Sequence, residues 1–292
     1  MPELPEVETI ARGLAKRVTG DLIESVWLGS KKEPLKSPAA VMAATLERSR
    51  IAQIHRMGKH IVFDLEREPA ASARNGHRKT RQQRNIANVS AVSRNSQWIV
   101  HLGMTGRLQV CDPSDEIAKH THAILKLASG RELRFVDPRR FGRLSVASDA
   151  FVATGVEPLE VELAHFQRLF RGRKTPIKSA LLNQKLLRGV GNIYADESLF
   201  RAGIRPRRRA SSISREQLAK LYLSIQEVLK EAIALGGSSV SDYVNADGEE
   251  GFFQLQHRVY GREGEPCLVC KTPIKRIVIA GRSSHYCPEC QK

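Results

Sequence analysis

The N-terminus combines a proline with two carboxylates at a spacing that could support covalent catalysis. The chain opens Met1-Pro2-Glu3, and Glu6 follows about one helical turn later. Removal of Met1 would leave the ring nitrogen of Pro2 as a secondary amine that titrates near neutrality, whereas a lysine amine titrates at about 10.4. Such an amine can attack a carbon electrophile at cellular pH. The simpler interpretation is that these residues only begin a helix, where acidic groups favour the positive end of the dipole.

Four cysteines form two Cys-x2-Cys pairs near the C-terminus. Cys267 and Cys270 are separated by 16 residues from Cys287 and Cys290. This spacing is typical of a zinc ribbon, and a disulfide pair is the alternative. Between the pairs, strand-like runs at 274–280 and 283–286 predict a hairpin with Arg282 near its tip. We predict one structural zinc ion, because four thiolates leave no open position for a substrate.

The composition indicates a globular protein that binds a polyanion. The chain has 292 residues, 41% of them hydrophobic, and a formal net charge of +16. Residues 165–215 contain 13 Lys and Arg but only two acidic residues, which predicts a nucleic-acid-binding face there. Neither a run of 18 apolar residues nor a basic leader followed by an apolar run is present, so we expect no membrane span and a cytoplasmic location.

The elements that must position these residues change type along the chain. An amphipathic first helix is followed by eight strand-like runs and one helix at 38–48, which predict a β-sandwich. The runs are 22–28, 51–57, 60–65, 98–102, 108–110, 123–127, 133–136 and 144–146. Residues 67–96 are polar and basic and predict a disordered insertion, with a DNA-contacting arm as the alternative. Helical spacing then predicts helices at 161–170, 177–183, 194–201 and 214–235, the last with a Ser214/Gln217 capping box.

Four motifs in this order resemble the bacterial formamidopyrimidine-DNA glycosylases. They are PELPEVET at 2–9, DPRRFG at 137–142, GVGNIY at 189–194 and the paired cysteines. The resemblance implies an α+β fold in three parts. These are a helix-flanked β-sandwich catalytic domain at 1–150, a helix-two-turn-helix DNA-binding domain at 151–237, and a lesion-loop region with a zinc finger at 238–292, its hairpin at about 258–292. The insertion at 67–96 is longer than the family's usual connection.

The resemblance also implies a monomeric base-excision-repair enzyme that removes oxidised purines and nicks the DNA. Pro2 would form a Schiff base with the sugar, and Glu3 would be the proton donor that transfers protons to and from the opening sugar. Lys59 and Arg282 would be the proton donors for β- and δ-elimination, and Glu6 would support the site. The partner would be double-stranded DNA with oxidised bases or abasic sites in the bacterial nucleoid, and no cofactor other than zinc would be needed.

Seven further residues match DNA contacts of the family. His120, Arg140, Lys178 and Asn192 match phosphate-binding residues, and Met104, Arg139 and Phe141 match the trio that fills the gap left by an extruded base. The resemblance aside, Met104 and Phe141 would be assigned to the core and Arg139 to the solvated surface. His120 and His122 could also bind a metal, although no other ligand is near them in sequence.

Two other functions are compatible with the same motifs. An endonuclease VIII-like glycosylase for oxidised pyrimidines shares Pro2 and Glu3, although the opening motif and residues 244–249 resemble the purine-specific branch. Lesion choice would reside in a loop within 238–255, where the residues at 238–241 depart from the family's usual sequence. A non-catalytic zinc-hairpin protein that binds DNA or RNA is the second alternative, and it would not need Pro2, Glu3, Lys59 and Asn192 together.

Overall fold

The computed structural model describes residues 2–67, 95–239, 244–246 and 248–292. They divide into two units that do not follow chain order. Unit 1 contains residues 2–10, 56–59 and the described part of 152–292, and unit 2 contains 11–55 and the described part of 60–151. The N-terminal motif therefore belongs to the same unit as the helical and zinc-binding segments.

Unit 2 contains the predicted β-sandwich as two four-stranded sheets. One sheet has the order β1-β6-β7-β5 and the other β2-β3-β4-β8. The strands are β1 Ile23–Leu28, β2 Ser49–Met57, β3 His60–Arg67, β4 Asn95–His101, β5 Arg107–Cys111, β6 Thr121–Leu127, β7 Glu132–Val136 and β8 Arg143–Ala147. Phe63 and Trp98 pack in the core with ring centroids 4.7 Å apart. Helix α2 spans Ala39–Leu46.

All eight predicted strands are present, and the largest differences in their ends flank the predicted insertion. β3 extends to Arg67 and β4 already begins at Asn95, so residues 67, 95 and 96 are strand rather than loop. The two strands pair in antiparallel register from His60 with His101 to Glu66 with Asn95. Residues 68–94, which carry the rest of the predicted insertion, lie outside the described residues.

Helices dominate unit 1, to which the first residues of α1 (Leu4–Val18) also belong. The others are α3 Leu163–Phe170, α4 Ile177–Leu181, α5 Asn192–Arg201 and α6 Arg215–Ala234. The predicted capping box of α6 is confirmed, with the Gln217 amide donating to the Ser214 hydroxyl at 3.1 Å and the Ser214 amide donating to the Gln217 side chain at 3.2 Å. Helix α5 begins two residues before its predicted start, because Gly191 takes an extended N-cap conformation.

The C-terminal segment of unit 1 forms the predicted hairpin. Strands β9 (Lys275–Ile279) and β10 (Arg282–Tyr286) are antiparallel. Ala280 and Gly281 both have positive φ, which is typical of a two-residue hairpin turn whose twist matches the strands. The turn lies one residue earlier than the predicted Gly281-Arg282, and Arg282, as the first residue of β10, lies next to the tip. Short 3-10 helices span Ala210–Ser212 and Phe253–Gln256. Within the described ranges, no helix has the length and apolar content needed to cross a membrane.

Candidate active site

A glycine-containing turn encloses the carboxylate of Glu3. Pro2 is buried, and the Glu3 residue is only 4% exposed. The Ile193 amide at the start of α5 donates to Glu3 Oε1 at 3.3 Å. A Cβ atom on Gly191 would lie 2.1 Å from the Glu3 carboxyl carbon, so the carboxylate occupies the space that a side chain at 191 would need. The GVGN motif thus lets the backbone approach the N-terminal carboxylate closely.

Burial gives Glu3 and Lys59 unusual proton affinities. Desolvation raises the pKa of Glu3 to about 7. The positive charge of Lys59 opposes this increase, and the negative charge of Glu6 reinforces it. Desolvation also lowers the pKa of Lys59, and the carboxylates of Glu3 and Glu6 oppose that shift. A carboxyl group that titrates near neutrality can both donate and accept a proton at cellular pH. Glu3 and Lys59 therefore form a coupled acid–base pair.

Glu6 is held by three donors and orients the backbone beside Pro2. Its Oε2 atom accepts from the Glu3 amide at 2.8 Å, and its Oε1 atom accepts from the Ser238 amide at 2.8 Å. The Tyr194 hydroxyl also donates to Oε1. Burial raises the pKa of Glu6, whereas these hydrogen bonds lower it. The sequence analysis gave Glu6 a supporting role but did not identify Tyr194 and Ser238 as its donors. Tyr194 lies inside the GVGNIY motif, whereas no motif in the sequence points to Ser238.

Lys59 is positioned through the neighbouring Arg56. The Arg56 guanidinium donates to both carboxylate oxygens of Glu157, at 3.0 and 2.8 Å, and to Glu8 at 2.7 Å. Arg188 also donates to Glu157, at 3.2 Å. A bidentate arginine–carboxylate pair fixes direction as well as distance. The segment 56–59 is therefore anchored within unit 1.

Lys178, predicted to contact a phosphate, has a fully buried side chain. Its ammonium lies 2.6 Å from Asp196 Oδ1 and donates to the Ser283 carbonyl at 2.6 Å. Burial lowers the pKa of Lys178, and the Asp196 carboxylate opposes this shift. Sequence reasoning missed Asp196, because nothing local indicates its partner. The Asn192 amide donates to the Ser283 hydroxyl at 3.3 Å, and Asn192 Oδ1 is buried with no hydrogen-bond partner among the described residues.

The positive charge of Arg282 acts on Lys59 and Lys178. The Arg282 side chain is exposed next to the hairpin tip, and its charge lowers the pKa of both Lys59 and Lys178. The charge of Glu3 acts on the same two lysines in the opposite direction. Unit 1 therefore brings together Glu3, Lys59, Lys178 and Arg282.

In unit 2, the predicted gap-filling residues are exposed rather than in the core. Met104 is 40% and Phe141 is 52% exposed, although both side chains are large and apolar. The Arg139 guanidinium carbon lies 4.8 Å from the Phe141 ring centroid, a cation–π distance. The core assignment suggested for Met104 and Phe141 without the resemblance is therefore wrong.

Asp137 organises the loops that carry these residues. It is fully buried and accepts from the Thr105 hydroxyl at 2.6 Å, from the Gly142 amide at 2.7 Å and from the Arg139 amide at 3.2 Å. A Cβ atom on Gly103 would lie 2.5 Å from the Gly142 nitrogen, so the two loops are in close backbone contact. Sequence reasoning used Asp137 only as part of a motif and missed this role.

His120 and Arg140 are both exposed and both have left-handed backbones. Their φ angles are +74° and +57°. A residue other than glycine is rarely held there, and such strain is found most often at functional positions. The buried His122 ring makes a 3.0 Å hydrogen bond through Nε2 to the Asp137 carbonyl. Among the described residues, the only clustered metal ligands are cysteines, so the structure gives no support to a metal site at these histidines.

The four C-terminal cysteines form a structural zinc site. Their sulfur atoms all lie within 4.8 Å of one another, with 3.8 Å between Cys267 and Cys290 and 3.4 Å between Cys270 and Cys287. Tetrahedral zinc with bonds of about 2.3 Å separates sulfurs by about 3.8 Å, which fits this arrangement. Cys267 and Cys287 are fully buried against Phe200 and neighbouring apolar residues. The ion would thus join the two cysteine pairs at the base of the hairpin, and packing against Phe200 connects them to α5.

Comparisons with known proteins agree along the length of the chain. Three family profiles match: the formamidopyrimidine-DNA glycosylase N-terminal domain over residues 1–144, the formamidopyrimidine-DNA glycosylase H2TH domain over 154–244, and the zinc finger found in FPG and IleRS over 264–292. The formamidopyrimidine-DNA glycosylase of Solibacter usitatus is 45% identical, with 100% of both chains covered. That of Desulfitobacterium hafniense is 40% identical at the same coverage.

Solved structures of similar proteins also match this chain over nearly its whole length. The MutM (Fpg) protein of Thermus thermophilus is 38% identical, with a TM-score of 0.80 over 99% of this chain and 98% of that one. Lactococcus lactis Fpg, solved in complex with DNA containing an abasic site, is 31% identical with a TM-score of 0.83 over 99% of each chain.

Proposed function

Because this chain belongs to the formamidopyrimidine-DNA glycosylase family, we propose that it excises oxidised purines from DNA and then cleaves the strand at the resulting abasic site. The observation that carries this proposal is the burial of Glu3 and Lys59 beside the segment of Pro2, with the pKa of Glu3 raised to about 7. We assign the nucleophile and most of the chemistry to 1–150, DNA binding mainly to 151–237, and the lesion loop and the zinc hairpin with Arg282 to 238–292.

The first stage is substitution at the sugar C1′ atom. With Met1 removed, the Pro2 nitrogen attacks C1′ and the bond from C1′ to the base breaks. The base leaves with the proton that the Pro2 amine gives up. Glu3 then protonates the ring oxygen as the C1′–O4′ bond opens. The nitrogen lone pair forms a cationic iminium with C1′, because a secondary amine has no second hydrogen to lose. A free α-amine titrates at about 7.7–8.0, so the neutral amine and protonated Glu3 coexist around pH 7–8.

The second stage is elimination from the iminium. The positive nitrogen acidifies the C2′ hydrogen. The Glu3 carboxylate, left after it has protonated the ring oxygen, takes up this proton, so that a C2′=C3′ double bond forms and the C3′–O3′ bond breaks. A second elimination removes the C4′ hydrogen to solvent and breaks the C5′–O5′ bond, and water then hydrolyses the iminium to release Pro2. We assign proton donation in the first elimination to Lys59 and in the second to Arg282. The lowered pKa of Lys59 suits this role, since it makes the ammonium a stronger acid.

The remaining predicted residues would hold the duplex. His120, Arg140, Lys178 and Asn192 are assigned to phosphates, and the exposed Met104, Arg139 and Phe141 to the gap left by the extruded nucleotide. The protein would act as a monomer in the bacterial nucleoid. Zinc has no step in the chemistry, because four thiolates close its coordination shell.

Trapping the covalent intermediate tests the proposal. Purified protein shown to lack Met1 is incubated with a duplex containing one 8-oxoguanine opposite cytosine, with borohydride present, and the adduct is mapped by peptide mass. We expect an adduct at Pro2. We expect none from Glu3→Gln at matched DNA binding. Pro2→Gly keeps a free primary α-amine, so we expect it to trap more slowly than the wild type, with any adduct still at position 2.

The same assay distinguishes the alternatives. Lactococcus lactis Fpg was also solved with DNA containing an oxidised pyrimidine, so a pyrimidine duplex is tested in parallel. Preference for that duplex would favour the endonuclease VIII-like function. Absence of an adduct on either duplex, with binding retained, would favour a non-catalytic DNA-binding protein.

A further inference from the structure

His257 connects Ser238 to the aromatic residues that precede the zinc hairpin. Its Nε2 atom lies 3.2 Å from the Ser238 hydroxyl oxygen. Its ring packs edge-on against two others, with centroid distances of 5.6 Å to Phe253 and 5.5 Å to Tyr260. Two ring contacts and a hydrogen bond together restrict the position of this ring.

The protonation state of His257 determines the direction of that hydrogen bond. Burial lowers the pKa of His257 to about 4, and a hydrogen bond with the Tyr260 backbone only partly opposes the shift. The ring is therefore neutral at physiological pH, with one donor and one acceptor nitrogen. The 3.2 Å contact between Nε2 and the Ser238 hydroxyl is a hydrogen bond in either tautomer. We assign Nε2 as its acceptor and the Ser238 hydroxyl as its donor, an assignment that the variants below test.

Ser238 passes this constraint to the N-terminal segment. The residue is 4% exposed, and its amide donates to Glu6 Oε1 at 2.8 Å. The other oxygen of Glu6 accepts from the Glu3 amide, which is covalently joined to Pro2. The preceding Gly237 is so close that a Cβ atom there would lie 2.9 Å from Glu6 Oε1. A rotation of the Ser238 backbone would therefore move or release the Glu6 carboxylate.

We propose that His257 is a positioning residue for the Pro2 nucleophile, acting through Ser238 and Glu6. Holding the Ser238 hydroxyl fixes the direction of the Ser238 amide, which is one of the three donors to Glu6. Glu6 in turn holds the amide that follows Pro2. Loss of the histidine acceptor would widen the range of Pro2 orientations and slow its attack on C1′, while leaving the DNA-contacting residues in place. The inference rests on the proposed function, because it assigns the attack to Pro2.

Three variants and a control test this inference. His257→Leu keeps much of the side-chain volume but removes the acceptor, His257→Gln supplies a polar group near the position of Nε2, and Ser238→Ala removes the donor. We measure the single-turnover excision rate on the 8-oxoguanine duplex and the Kd for a duplex with a tetrahydrofuran abasic analogue. We expect the leucine and alanine variants to excise about three- to tenfold more slowly, with Kd unchanged within about twofold. The control for introducing a leucine is Ser25→Leu, at an exposed position of β1 outside the residues assigned to catalysis or DNA binding.

Two further results distinguish a positioning role of His257 from a general packing role: rescue of the excision rate by glutamine, and the rate of the double variant. We expect His257→Gln to recover at least half of the wild-type rate. The double variant His257→Leu/Ser238→Ala should be no slower than either single variant, because both remove one interaction. A wild-type rate for His257→Leu, failure of glutamine to rescue, or a parallel loss of DNA affinity would each overturn the inference. Absence of any wild-type adduct with borohydride would instead refute the proposed function.

Discussion

Replacing Gly191 with alanine should displace the Glu3 carboxylate without unfolding the protein. Gly191 has φ −128° and ψ −159°, which alanine adopts without strain. The new Cβ would begin 2.1 Å from the Glu3 carboxyl carbon, whereas ordinary contact begins at 3.4 Å, so the carboxyl group must move by about 1.3 Å. That shift breaks its 3.3 Å hydrogen bond with the Ile193 amide.

The expected loss is mainly catalytic. A misplacement of about 1 Å can reduce a rate about 100-fold, whereas overpacking of this size costs about 1–3 kcal/mol of stability. Single-turnover excision, urea unfolding and binding to an abasic-analogue duplex are measured together. We expect excision to fall about 100-fold while the protein remains folded and binds the duplex.

Gly29→Ala is the matched control. A Cβ atom at that position would lie 3.5 Å from its nearest neighbours, which are backbone atoms of His122, and this is an ordinary contact distance. It should excise at close to the wild-type rate. Excision by Gly191→Ala within about threefold of wild type would refute the argument that Glu3 needs its present position.

Three further changes test other parts of the site. The acidic form of Glu3 is present below its pKa of about 7 and is lost as the pH rises through that value. The trapping rate should therefore rise as the amine is deprotonated and then fall on the alkaline side, which gives a bell-shaped profile. A rate that rises with the amine and then stays level up to about pH 9 would exclude Glu3 as the acid. Asp196→Asn leaves the buried Lys178 ammonium without its counter-charge, so urea unfolding should show a loss of about 3–5 kcal/mol, and wild-type stability would contradict the ion pair. Cys290→Ser should reduce bound zinc, measured by elemental analysis, and weaken lesion binding while circular dichroism of the helices persists; full zinc occupancy would contradict the four-thiolate site.

Features encoded over short stretches of sequence could be predicted. The capping box at Ser214 depends on residues three apart, and the zinc site depends on two pairs with a fixed internal spacing. The strands were located from short runs of apolar and β-branched residues. Each of these signals is contained within a few tens of residues.

Contacts between distant residues could not be predicted in the same way. Glu6 and Ser238 are 232 residues apart, and Lys178 and Ser283 are 105 apart. Lys178 was expected to face a phosphate, but its partner Asp196 became visible only when the fold brought α4 and α5 together. A buried charge depends on three-dimensional neighbours, and these leave no periodic signal in the sequence.

The assembly of unit 1 from separate segments has a consequence for the timing of synthesis. Glu6 leaves the ribosome 232 residues before its donor Ser238. At about 5–20 residues per second, that interval lasts roughly 10 to 50 s. Pro2 is buried in the folded protein, so the proposed removal of Met1 would have this interval, in which the segment still lacks its folded partners. On the proposed function, maturation of the nucleophile would thus coincide with translation, and the amine would join a working site only after Ser238 has been made.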